Sequence, residues 1–515
     1  MLFNSWTFAA FLAVVFCIYH LIPWPTRQKV VFQISLLTVA SYVFYAWHTP
    51  WLVVILAAST WINAYVTLRL IHKAATPKER KGWVTFAIIA NLGVLAFFKY
   101  ASLLVGTFLP NTWWSHWGFD LTQIPLPVGI SFFTFQGISL VVDIYRSRGE
   151  GIEGLRPPES RSESGWLVLR MAFFKAFFPQ LVAGPIVKAH EFMYQIAGKT
   201  LRHIDWDDAT RKLILGYFFK MVVADNLKEA TASLSYPAFI GLPGINLLFL
   251  LYGFSFQIFA DFFGYSLIAM GLARLFGYQL PINFNFPYMS QSITEFWRRW
   301  HISLSTWLRE YLYFPLGGNR LGATRTYINL IVVMLLGGLW HGAAWSYMVW
   351  GGAHGLLLAI ERFFGVKAEV AHVARDAPPS AVSTLAPRLS TPFFFTSQVS
   401  SFILRVLRVL LIFNVVSFLW LLFQLPNFSE VILYMKELAT WKSGMAPQPI
   451  FAILFFSTPV VLYHIWGSMR QAVTDALEQN HSTLFRFGSN LAYATLLFLI
   501  VTNSGSPGAF IYFQF

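Results

Sequence analysis

Two histidines stand out for what surrounds them. His341 lies in MLLGGLWHGAAWSYMVWGGAHG (334–355), between apolar runs and beside Gly337, Gly338 and Gly342. Glycines let helix backbones approach closely, so a tight hairpin or kinked crossing is expected to hold this imidazole in packed surroundings. A buried neutral imidazole suits general-base work near neutral pH. The same pattern also fits a histidine that only hydrogen-bonds between helices. His301 lies in SQSITEFWRRWHISLSTWLREYLY (290–313), with Glu295, Arg298, Arg299, Trp297, Trp300 and Trp307. Helical spacing sets Glu295 beside both arginines. The segment reads either as a cytoplasmic interfacial helix with salt bridges and headgroup-anchoring tryptophans, or as a basic, aromatic site for an anionic coenzyme-like donor. By the order of the apolar runs, His301 falls near the cytoplasmic side and His341 after the next outward run. The two are therefore expected at different depths along a transmembrane path. His354, in a similar glycine-flanked setting, reads as structural.

A third feature is the C-terminal run GSPGAFIYFQF (505–515), in whose last six residues, FIYFQF, Tyr512 carries the only side-chain nucleophile. An exposed apolar end of this kind is an association liability, so it is expected to insert into lipid, a partner or the protein's own cavity. The remaining chemistry is sparse. GxxxxGK[ST], HExxH, CxxC and GxSxG motifs are absent, and no metal site is expected. Asp207 and Asp208 are read as part of a charged loop. The single cysteine, Cys17, excludes an intrachain disulfide and reads as a small buried apolar residue.

The elements that must position these residues follow from composition. Of 515 residues, 56% are hydrophobic, 18% aromatic and 12% charged, against about 25% charged in an average soluble chain. A water-soluble globular enzyme is excluded. Apolar runs fall near 6–22, 30–47, 51–70, 84–108, 125–144, 166–187, 212–227, 240–275, 326–340, 343–360, 402–424, 450–467 and 489–503. All read as helices, because backbone in lipid must satisfy its own hydrogen bonds. The first run has no preceding positive residue and no small-residue cleavage site, and is read as a retained span rather than a signal peptide.

The net charge of +14 follows topology rather than nucleic acid, since the basic residues crowd loops between spans. With 24–29 and 71–81 cytoplasmic, the turn at His48–Pro50 and the Trp-rich stretch 109–123 fall outside. Residues 166–187 contain Arg170, Lys175, Pro179 and Pro185. They read as a re-entrant segment buried in protein or lining a cavity, followed by a polar, charged loop at 188–211. The Ala/Pro/Ser-rich stretch 366–400 reads as a flexible cytoplasmic linker.

The block 290–320 followed by LLGGLWHGAAWSYMVWGGAHG closely resembles the membrane-bound O-acyltransferase family, in its bacterial alginate O-acetylase branch. LPVGISFFTFQGISLVVDIYR (126–146), FFPQLVAGPIVK (177–188) and SYVFYAW (41–47) resemble the same branch. The resemblance implies an all-α polytopic membrane protein, with roughly 11–13 membrane helices and re-entrant segments around a transmembrane tunnel or funnel. It implies N-terminal membrane helices over 1–110, a catalytic core over 111–365, a linker over 366–400, C-terminal membrane helices over 401–504 and a tail over 505–515.

In function it implies transfer of an acetyl group from cytoplasmic acetyl-CoA, or a similar thioester, for O-acetylation of an exopolysaccharide such as alginate. No tightly bound cofactor is implied. The implied partners are a periplasmic acetyltransferase of the SGNH type, the polysaccharide acceptor and the lipid bilayer, with no nucleic acid, in the bacterial inner membrane. His341 and His301 take the catalytic positions and Tyr512 that of a transient acyl carrier. Arg298, Arg299, Trp340, Glu295 and Asp261 are candidates for donor binding or tunnel lining. Where the family commonly reads Asp-Phe-Ser-Gly-Tyr-Ser-Asp, this chain has Asp261, Phe262, Phe263, Gly264, Tyr265, Ser266 and Leu267. One hydroxyl and the second acid are missing, which bears on the acceptor or relay. The residues alone leave a transporter, or a scaffold in a polysaccharide export or modification complex, as rival classes. Cellulose and peptidoglycan stand as rival acceptors.

Overall fold

The computed structural model describes residues 1–22, 25–71, 76–108, 126–182, 184–365, 395–478, 483–506, 508 and 510. Among them the protein is all-α, and its one isolated bridge pairs Ile152 with Leu155. The first helices are α1 (Trp6–Leu21), α2 (Thr26–Ala46), α3 (Leu52–Ile71) and α4 (Pro77–Phe108). The middle of the chain begins with α5 (Ile130–Arg146), α6 (Arg161–Ala176), α7 (Phe178–Leu181) and α8 (Ala189–Phe192). Then α9 (Trp206–Tyr217) runs through a π-helical stretch, Phe218–Ala224, into α10 (Asp225–Ala230), followed by α11 (Gly244–Leu275). The short α12 (Ile293–Arg299) and α13 (Ile302–Leu308) precede the hairpin of α14 (Ala323–His341) and α15 (Trp345–Phe363). The chain continues with α16 (Phe395–Gln424), α17 (Phe428–Thr440), α18 (Pro447–Glu478) and α19 (Thr483–Thr502).

Seven of the described helices (α2, α3, α4, α11, α14, α16 and α18) are long and apolar enough to cross a membrane, and the shorter α1 and α19 are apolar. This is a multi-pass membrane protein. The other runs read as membrane segments are shorter or more polar: α5 has 17 residues, and α15 ends in Glu361 and Arg362. Spans that share their surface with lipid bury half or less of their most apolar window, whereas α11 buries 78%. It is the central post, packed by α9, the π-helical stretch, α16 and α18.

The 166–187 segment breaks where its prolines require. α6 ends at Ala176, and Pro179 sits in the first turn of α7, where its missing N–H costs nothing. Its cations are held by protein: Lys175 Nζ donates to Ser59 Oγ at 2.6 Å, and Arg170 to the Met193 carbonyl at 2.8 Å.

Several expectations are corrected. Cys17 is exposed on α1, on the side of an apolar helix that meets lipid rather than the core. Asp207 and Asp208 open α9, where acids suit the helix N-terminus, and they pair with Arg211, Lys212 and Arg274. The loop at 188–211 contains α8 and the start of α9. Residues 395–400, assigned to the linker, already belong to α16. Residues 109–125 and 366–394 lie outside the described residues.

Candidate active site

His301 is fixed by the chain around it before any ligand is considered. Between α12 and α13 the backbone turns through a left-handed conformation at His301, φ 43°. A non-glycine residue accepts this only where its surroundings enforce it. The enforcement is visible on both sides: Ile302 N–H donates to the Asn283 carbonyl at 2.9 Å, and Asn285 N–H to the Arg299 carbonyl at 3.0 Å. The Asn283 side chain donates to Ser266 Oγ at 3.0 Å and accepts from Ser303 Oγ at 2.6 Å, while Ser303 Oγ accepts from Ile186 N–H at 2.9 Å. Four separate stretches of chain are thereby tied around one histidine.

His341 is the last residue of α14. The glycines around it permit the contact that places it: a Cβ on Gly338 would stand 2.2 Å from the Tyr347 carbonyl, and one on Gly351 would stand 2.1 Å from the Met334 carbonyl. The α14–α15 crossing is therefore closed to any larger residue at those two points. The His341 ring packs against Trp340, Trp350 and Phe423, with ring centroids 5.0–5.2 Å apart.

The two histidine rings lie 6.4 Å apart, centroid to centroid, and both are buried. This corrects the expectation of different depths. Residues 293–308 pack inward as two short helices, and 309–313 continue as a π-helical turn with Arg309 exposed. Trp300 and Trp307 belong to the buried aromatic core rather than to a headgroup belt. Trp340 stands beside both histidines, 5.7 Å from His301.

Two openings share Trp340 as a wall. A small cavity is lined by His341, Trp340, Lys99, Phe132 and residues 126–131, on the outer side in the orientation given by the basic loops. On the other side of Trp340, an apolar groove of about 510 Å³ runs between α4, α5, α13 and α14, and it includes Phe135, Trp307, Tyr311 and Trp345. Lys99 was not singled out in the sequence. It is buried, donates to the Trp340 carbonyl and lies 5.8 Å from the Trp340 ring centroid. A cation on the last carbonyls of α14 complements that helix's C-terminus. The sequence signal was a lysine inside an otherwise apolar run.

The remaining sequence candidates divide. Ser292 caps α12, its Oγ accepting from Glu295 N–H at 3.0 Å, and the Glu295 side chain accepts from Gln291 N–H at 2.8 Å. Arg299 is engaged by Glu295 at 2.8 Å and by the Asn285 carbonyl, and Arg298 is exposed. These three build α12 rather than converge with the histidines. The α12 N-terminus also donates to Glu361 of α15, through Ile293 N–H and Thr294 N–H. Asp261 is buried on α11 and paired with Lys220 at 2.8 Å. Phe263, where the family commonly has a hydroxyl, fills an aromatic cluster with Phe259 and Tyr463. His354 accepts from Trp297 Nε1 at 3.3 Å and packs on Trp350 at 4.9 Å. Tyr512 lies outside the described residues, but Phe510 is buried and stacked on Tyr265 at 4.5 Å. At that residue the C-terminal run enters the protein's own interior.

Sequence comparison decides the class of chemistry. Residues 112–376 match the membrane-bound O-acyltransferase family, a range that contains both histidines. The chain belongs to this family. It is 39% identical over 72% of its length to a probable alginate O-acetylase of Azotobacter vinelandii, of which the match covers 70%. It is 34% identical over 85% of its length to the peptidoglycan O-acetyltransferase of Helicobacter pylori, 79% of which is covered. A more distant relative is the teichoic acid D-alanyltransferase of Bacillus subtilis, 28% identical over 46% of this chain and 59% of that protein. In this O-acyltransferase His341 lines the outer cavity, and His301 lies 6.4 Å from it, ring to ring.

Away from that pair, this O-acyltransferase carries a polar cluster on the side assigned to the cytoplasm. His190 Nδ1 lies 2.8 Å from Asp143 Oδ2, and Tyr311 donates to Asp143 Oδ1 at 2.7 Å. The hydrogen bond to Asp143 raises His190 above its ordinary value of 6.5, against the opposing effect of partial burial. Nearby, Lys188 bridges Glu191 and Glu310 at 2.9 and 3.0 Å.

Proposed function

We propose that this membrane-bound O-acyltransferase takes an acetyl group from a cytoplasmic acetyl-CoA-like thioester and delivers it outward for O-acetylation of an exopolysaccharide such as alginate. The observation that carries the reading is the buried His301–His341 pair, 6.4 Å apart beside a cavity that opens next to His341. The His341 imidazole takes the proton of the acceptor hydroxyl as its oxygen attacks the thioester carbonyl. The carbon–sulfur bond then breaks, and the proton passes from His341 to the leaving thiolate. His301, held in one orientation by Asn283 and its neighbours, directs its ring at the reacting carbonyl. Trp340 and Phe132 line the cavity and limit water around the ester.

In the same reading the first acceptor is Tyr512, and its ester hands the acetyl group to a periplasmic SGNH-type partner and then to the polymer. The protein would sit in the bacterial inner membrane and use the thioester as substrate, without a tightly bound cofactor. Arg298 and Arg299 would act on the donor's phosphates only from the outer surface of α12. The relative acting on peptidoglycan makes that polymer the second acceptor to assay, and cellulose the third.

Sidedness tests this reading. Purified protein is reconstituted in vesicles with acetyl-CoA sealed on the side of Lys81, and the periplasmic partner with alginate oligosaccharide is added on the other. Acetyl ester should form on the oligosaccharide with wild-type protein and fall to background with His341→Ala. Equal acetylation by both proteins would refute the proposal.

A further inference from the structure

Outside the histidine pair the core holds a second charged group. Lys220 Nζ lies 2.7 Å from Asp225 Oδ1 and 2.8 Å from Asp261 Oδ1, and all three side chains are buried. They come from three elements: Lys220 from the π-helical stretch, Asp225 from the start of α10 and Asp261 from α11. Buried ions of this kind contribute little net stability but fix a geometry when every partner is present. Here the lysine ties the start of α10 to α11.

The C-terminal segment lies against this group. Gly505 N–H donates to the Met221 carbonyl at 2.9 Å, and Ser506 N–H donates to Glu229 Oε1 at 3.0 Å. The Asn226 side chain donates to the Asn503 carbonyl at 3.0 Å. The approach is close enough to exclude side chains. A Cβ on Gly505 would stand 2.8 Å from Asn226 N and from the Asp225 carbonyl carbon. One on Gly508 would stand 3.1 Å from Asp225 Oδ1 and 3.2 Å from Lys228 Nζ. Beyond this point Phe510 stacks on Tyr265 and meets Phe262 at 5.7 Å, and the Phe262 ring meets His301 edge-on at 4.6 Å.

We propose that Lys220, Asp225 and Asp261, together with the outer side of α10, form a seat that fixes the root of the C-terminal segment and so places Phe510 against the Phe262 ring that packs on His301. Lys220, Asp225, Asp261 and Gly505 are positioning residues. The seat itself stands on the contacts above, and its consequence for transfer rests on the acyl-transfer reading of the site.

The test uses the full chain in detergent, with Cys17→Ala removing the only native thiol. Glu229→Cys and Ser506→Cys are combined, treated with a short bis-methanethiosulfonate reagent, and the bridged peptides detected by mass spectrometry. The bridge should form in this background and be lost when Gly505→Ala is added, because the new methyl group meets the α10 backbone. With native Glu229 and Ser506, Gly505→Ala and Lys220→Met should each lower acetyl transfer by about tenfold or more, as for a group misplaced by about 1 Å. The KM for the thioester should stay unchanged, and for Gly505→Ala, which leaves all three buried ions in place, so should the melting temperature. Failure of the bridge to form, or a bridge undiminished by Gly505→Ala, overturns the seat. Wild-type transfer by Gly505→Ala with the bridge lost overturns its role in positioning. A wild-type protein that turns over no thioester while the bridge forms overturns the acyl-transfer reading alone.

Discussion

His341 and His301 share a site because of a turn that only a few side chains hold in place. His301 sits in a left-handed backbone conformation, and Asn283 is the residue that meets it from both the α11 side and the α13 side. Asn283→Ala should therefore lower kcat for acyl transfer by about tenfold to a hundredfold with little change in KM, as expected for lost orientation; steady-state kinetics on purified protein checks this. His301→Ala should cost about a hundredfold or more. A second residue-scale prediction concerns pH. The Asp143 bond raises His190 above 6.5, so its stabilisation is complete below that value and is lost as pH rises through the raised one. The melting temperature in detergent should fall as pH rises above 6.5, and His190→Gln should flatten that slope. The residue types of the site were legible, since an imidazole between glycine-rich apolar runs is rare. Their mutual distance was not, because no local spacing reports that 293–308 folds inward. Lys99 and Lys220 were likewise hidden, as their meaning lies in partners far along the chain.

Helix positions were legible almost throughout, because lipid leaves the backbone few other solutions. The apolar runs at 51–70, 240–275 and 326–340 appear as α3, α11 and α14 with ends shifted by a few residues. What lay beyond the sequence was which helix would be surrounded by others: α11 is as apolar as its neighbours yet is the buried post. The α14–α15 crossing carries the clearest prediction at this scale. Gly351→Leu would drive a side chain into the Met334 carbonyl, and overpacking of this sort costs about 1–3 kcal/mol or more. The variant should melt several degrees lower and lose transfer, whereas Gly93→Ala, which meets nothing, should match wild type in both.

For the whole molecule, the charge distribution assigns sides to every loop. With the basic loops taken as cytoplasmic, Lys81 is expected inside and His48 outside, and both are exposed. In a Cys17→Ala background, an impermeant maleimide added to intact spheroplasts should label His48→Cys and spare Lys81→Cys; the reverse would invert the direction of transfer. With that orientation, His341 lines an outward cavity and Phe510 packs on Phe262, which packs on His301. The proposed transfer between compartments requires an opening of this kind. In the proposed reaction the histidine pair itself drives cleavage of the thioester. The direct measurement is acetyl-CoA turnover by the purified protein with a hydroxyl acceptor present, wild type against His341→Ala. Wild-type protein should turn over acetyl-CoA and the variant none above background, with both proteins folded; equal turnover by the two would contradict cleavage at the pair.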